Sequence, residues 1–140
     1  MRDMTKSKGG RHVAVFNGRQ EFIDKVSVGL QEVGYVTCSA HLKTIQSGAL
    51  DLVAFIRLHK PELVVYDLPR PYESHWNFLR LLQETASLKN AIWVLTTTDK
   101  KAVEAAAGAS DIIEVIFGEP YGVGDVIAAV QKKLPATDED

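Results

Sequence analysis

Short apolar runs rich in β-branched residues recur along the chain, and a helical pattern occupies each interval between them. The runs are HVAVF (His12 to Phe16), YVTC (Tyr35 to Cys38), LVVY (Leu63 to Tyr66), AIWVL (Ala91 to Leu95) and IIEVIF (Ile112 to Phe117). Each has the length of a strand, and near-continuous apolar character marks strands buried on both faces. From Gln20 to Val33, Phe22, Ile23, Val26, Leu30 and Val33 follow helical spacing, and Gly34 supplies a C-terminal stop. Leu50, Val53, Ala54, Phe55, Ile56 and Leu58 predict a second helix, which must end before Pro61. Ser74 caps a predicted third helix carrying Trp76, Leu79 and Leu82, and Ala102 to Ala107 predicts a short fourth. Val126, Ile127 and Val130 lie on a last helix, from about Gly124 to Leu134. Strands joined through helices pair in parallel, so the expectation is an α/β domain with helices on both faces of a five-stranded sheet.

The rest of the composition narrows the function. At 140 residues the chain has the length of one domain, and 46% apolar with 24% charged residues is ordinary globular usage. A net charge of -2 argues against nucleic acid as a partner, since phosphate binding needs a basic face. No apolar run approaches the length of a membrane span and no signal peptide is visible, so a cytoplasmic protein without membrane contact is expected. The single cysteine, Cys38, excludes an internal disulfide and reads as a small buried hydrophobe. Residues 1–11 read as a flexible basic arm, 12–134 as the domain and 135–140 as an acidic tail. His12, His41, His59 and His75 show no metal-site spacing.

In an open parallel sheet, ligands bind outside the carboxyl ends of the strands. The residues to inspect are therefore Asn17 and Gly18, Ser39, Asp67, Thr96, and Gly118 with Glu119, one set after each predicted strand. Taken alone, an Asp after a buried strand is most simply a turn or cap residue, and Thr96 in a TTT run is a common strand exit.

Together these positions resemble the receiver domain of two-component response regulators. Asp67-Leu68-Pro69-Arg70-Pro71 follows the third strand as that family's acceptor motif does, with Trp76, Leu79 and Arg80 continuing the register. Thr96 stands at the family's hydroxyl position, Gly108-Ala109 precedes the fifth strand, and Glu119-Pro120 occupies the place of its Lys-Pro. The resemblance spans about His12 to Leu134 and implies a flavodoxin-like (CheY-like) three-layer sandwich with strand order 2-1-3-4-5 and five helices. It makes Asp67 the phospho-acceptor position and Thr96 the switch hydroxyl. It also implies Mg²⁺ held by an acidic pair after the first strand, by the acceptor Asp, and by the carbonyl at Pro69.

Three departures bear on that chemistry. Asn17 and Gly18 stand where the acidic pair belongs, so Asp67 and Asn17 are the side-chain metal ligands left beside the Pro69 carbonyl, and Mg²⁺ sheds its waters reluctantly without carboxylates. Glu119 replaces the lysine that holds the phosphoryl oxygens. Two unit charges about 4 Å apart interact by roughly 4 kcal/mol at an effective dielectric near 20, so reversing one opposes phosphorylation strongly. His75 replaces a glycine at the start of the third helix.

The expectation is an atypical, stand-alone receiver, a pseudo-receiver, that signals through protein-protein contacts, uses no cofactor and is not an enzyme. Its partners would be a histidine kinase or a downstream effector, or a second copy bound through the fourth helix, fifth strand and fifth helix. One alternative is a working receiver phosphorylated on Asp67 by a histidine kinase. Another is a small-ligand-binding or enzymatic domain on the same fold, because unrelated functions share this scaffold.

Overall fold

β1, His12–Asn17, is buried from Val13 onward without alternation, the mark of a strand covered on both sides. The computed structural model in which it lies describes residues 10–48, 50–67, 80, 84, 91–97, 113–117 and 122–136. After β1 come α1 (Gln20–Glu32), β2 (Val36–His41), α2 (Leu42–Gln46), α3 (Leu52–His59), β3 (Leu63–Asp67), β4 (Ile92–Thr97), β5 (Ile113–Phe117) and α4 (Val123–Lys133). The strands form one sheet in the order β2-β1-β3-β4-β5, and every pairing is parallel. This is the flavodoxin-like topology expected. The chain leaves β1 toward β2 and then crosses back to β3, so the strand order reverses between β1 and β3, the kind of switch point at whose carboxyl ends ligands bind in open α/β sheets.

The pleat divides the core in two. Val13, Val15, Leu63, Val65 and Val94 face α1 and α4, meeting Phe22, Ile23, Val26 and Leu30 of α1 and Val126 and Val130 of α4. Ala14, Phe16, Val64, Tyr66, Trp93 and Leu95 face the other way, onto Leu42 and Ile45 of α2 and Leu52 and Ile56 of α3. Phe16 and Tyr66 meet edge to face with centroids 6.2 Å apart, within the favourable range for aromatic pairs.

α1 buries Phe22, Ile23, Val26 and Leu30 of its predicted face and keeps its predicted stop, but Val33, its C-cap, is exposed because it lies past the last helical turn. Gly34 adopts φ +102, a left-handed conformation that glycine takes at no steric cost. α3 starts on Asp51, whose Oδ1 accepts the Ala54 N–H at 3.1 Å, and ends at Lys60, φ 47, with Pro61 barring further helix. The buried face of α3 differs from expectation. Leu52 and Ile56 are buried, while Leu58 is 76% and Val53 43% exposed. In a segment as uniformly apolar as LVAFIRLH, periodicity does not select a face.

β2 also differs. It runs to His41 rather than Cys38, so Ser39 lies within the strand instead of after it. As an edge strand it is only partly buried, and its alternating polar residues dilute the apolar signal. The short helix α2 was not expected. The predicted third helix (Ser74, Trp76, Leu79, Leu82), the predicted fourth (Ala102 to Ala107), and Gly108-Ala109 lie outside the described residues. At the opposite end of the sheet, Arg11 Nη1 pairs with Glu62 Oε1 at 2.9 Å, and the buried Tyr35 hydroxyl donates to the Leu134 carbonyl at the end of α4.

Candidate functional site

The carboxyl ends of the inner strands bring three of the predicted residues into one polar row. Pairing of Asn17 with His41, of Phe16 with Tyr66, and of Asp67 with Thr96 sets His41, Asn17, Asp67 and Thr96 side by side across four strands. By the two-residue pleat all four share the face of Val13, Val15, Val65 and Val94. The backbone of Thr96 continues in register to Ile116 of β5, and Thr97 to Phe117. Ile116 and Phe117 therefore neighbour the threonines along the sheet.

Asp67 is half-buried as the last residue of β3, and the fully buried Thr96 donates its Oγ1 hydrogen to Asp67 Oδ1 at 2.8 Å. A hydrogen bond to an ionised acceptor is stronger than a neutral one, so the pair holds the carboxylate in a defined place. Asn17 is only 1% exposed, ends β1 rather than following it, and accepts the Arg19 backbone N–H on its Oδ1 at 2.9 Å. That bond folds its side chain over the Gly18 peptide. Gly18 is exposed and carries no donor beyond its backbone. Arg19 directs its guanidinium over the Phe22 ring, 5.2 Å from the centroid.

His41 was not foreseen as a member of this row. Its Nδ1 accepts the Lys43 N–H at 3.0 Å and so caps α2, while Thr44 Oγ1 bonds its carbonyl at 2.7 Å. The signal was the HLKT stretch following an edge strand, read three residues short. Behind the row, the hydroxyl of fully buried Tyr66 has no hydrogen-bond partner among the described residues. Burial first, and the charge of Asp67 second, push its phenol well above the usual tyrosine range. Among the described residues no three His, Cys, Asp or Glu side chains stand together as a metal-binding group. Pro69, Arg70, His75, Trp76, Gly118 and Glu119 lie outside the described residues.

Neither a protein-family model nor a curated protein matches the sequence. Solved structures do match. The chemotaxis protein CheY4 of Vibrio cholerae superposes with a TM-score of 0.66 at 18% identity, over 89% of this chain and 99% of that one. The fold is that of a receiver domain. HP1043, an orphan response regulator of H. pylori, matches at 0.64 and 14% identity, over 90% of this chain and 98% of that one. The response regulator DrrB of Thermotoga maritima, an OmpR/PhoB homologue, matches at 0.63 and 22% identity over 89% of this chain, which spans 52% of DrrB. At these identities the likeness establishes the architecture, and function has to be argued from the row itself.

Proposed function

We propose that the chain is a receiver-type signalling domain that acts through protein-protein contacts and does not carry out Mg²⁺-dependent phosphoryl transfer at Asp67. The observation that carries this reading is the neutral Asn17 ending β1 beside Asp67, with its amide oxygen already accepting a backbone N–H. Mg²⁺ demands near-octahedral oxygen ligands and gives up water mainly to carboxylates. One carboxylate, itself bonded to Thr96, and one engaged amide oxygen do not fit that demand. Glu119 in place of a phosphate-binding lysine points the same way on charge.

Output then passes through surfaces rather than through a chemical step. The partners are a histidine kinase or a downstream effector, or a second copy docking on β5 and α4. Among the described residues no helix is long and apolar enough to cross a membrane, which is in keeping with the proposed cytoplasmic setting.

A working phospho-acceptor is the second reading, favoured by the direct Asp67–Thr96 bond, since phosphoryl transfer in receivers needs an accepting carboxylate and a hydroxyl. Calorimetric titration with Mg²⁺ separates the two. The wild-type chain is expected to give no saturable heat at millimolar ion, and the double substitution Asn17→Asp and Gly18→Asp to create binding. A saturable wild-type isotherm that disappears in Asp67→Asn supports the second reading instead.

A further inference from the structure

Asn17 and Gly18 form a chemically distinctive step. Of the asparagines Asn17, Asn77 and Asn90, only Asn17 precedes a glycine. In such a step the glycine nitrogen can attack the side-chain carbonyl carbon, because no Cβ obstructs the approach. A Gly18 N–Asn17 Cγ bond forms, and the Asn17 Cγ–Nδ2 bond breaks. The Gly18 amide proton leaves with the side-chain NH₂ as ammonia. Water then opens the cyclic imide, leaving a carboxylate at position 17 on a normal or a β-linked backbone. Water is the only co-reactant.

Three observations favour this chemistry here. The Arg19 N–H donates to Asn17 Oδ1 at 2.9 Å, which folds the amide over the Gly18 peptide and places a donor on the oxygen that gains charge during attack. Gly18 is exposed although the Asn17 side chain is buried, so water reaches the imide from the glycine side. The fold also makes no evident demand for glycine at this position. Its φ lies outside the left-handed region, and an added Cβ would meet nothing nearer than Leu42 Cδ1 at 3.9 Å. Strand order at Asn17 opposes the attack, but the strand ends at this residue and α1 begins only at Gln20.

We infer that Asn17 is a self-modification site, deamidated within the folded protein to give a second carboxylate beside Asp67. The reaction stands apart from the functional reading above. Only its consequence for cation binding rests on that reading. The test incubates the full chain in warm, mildly alkaline buffer and follows it by peptide mapping, with urea-unfolded chain as the reference. Conversion concentrated at Asn17, and slowed at least about tenfold in Gly18→Ala, is expected. An Asn17 that stays intact in the folded chain while the unfolded reference converts overturns the inference. A converted sample that gains no Mg²⁺ affinity over fresh protein supports the modification and counts against the missing acid as the cause of weak cation binding.

Discussion

Asp67 keeps its position because Thr96 answers it. The hydroxyl is fully buried, so its bond to the carboxylate is not exchanged for water, and hydrogen bonds to charged groups contribute about 1.5–3 kcal/mol. Thr96→Val preserves shape and removes the donor. It should lower unfolding free energy by about 1–3 kcal/mol in urea denaturation, while Thr96→Ser should recover most of the loss. Cys38 gives a second prediction at this scale. Burial pushes its thiol up from 9.0 to about 11, so the folded state resists ionisation that the unfolded chain permits. A group with a raised folded pKa contributes stability that is complete below its unfolded value and is lost as pH rises through the folded one. Stability should therefore decline between about pH 9 and 11, and Cys38→Ala should flatten that decline when unfolding is measured across the window.

Between α1 and α4, Gly29 stands against Ile127. A Cβ there would lie 2.3 Å from Ile127 Cδ1, so any side chain at this position displaces the end of the Ile127 side chain. Gly29→Val should destabilise by about 1–3 kcal/mol through overpacking, and adding Ile127→Ala should return part of it, giving a measurable coupling in a double-mutant cycle. The elements differ in how plainly they can be read. β1, β3 and β4 are buried on both faces, so their apolar runs stand out, and their errors are one or two residues at the ends. β2 was read three residues short at its carboxyl end because an edge strand need not be apolar throughout, and that error concealed His41 and α2. In α3 the element was legible but its buried face was not. Leu58 and Val53 carry the same hydrophobic signal as Leu52 and Ile56, and only tertiary packing distinguishes them.

For the whole molecule, strand order decides where chemistry can occur. The reversal between β1 and β3 puts Asn17 and Asp67 at the switch point, with Thr96 one strand further out. These residues were legible in advance because the end of a buried strand is a position that sequence patterns locate well. Their bonding was not, since the Asn17–Arg19 turn and the Asp67–Thr96 pair depend on geometry that spacing alone does not fix. The resulting architecture is a CheY-like fold whose switch point, among the described residues, holds one carboxylate, Asp67, beside a neutral amide and a hydroxyl. On the function proposed above, this arrangement does not support phosphorylation. That expectation is tested most directly by incubating freshly purified chain with Mg²⁺ and a small phosphodonor and measuring intact mass. No phosphate adduct is expected. A stoichiometric adduct, absent from Asp67→Asn, would contradict it.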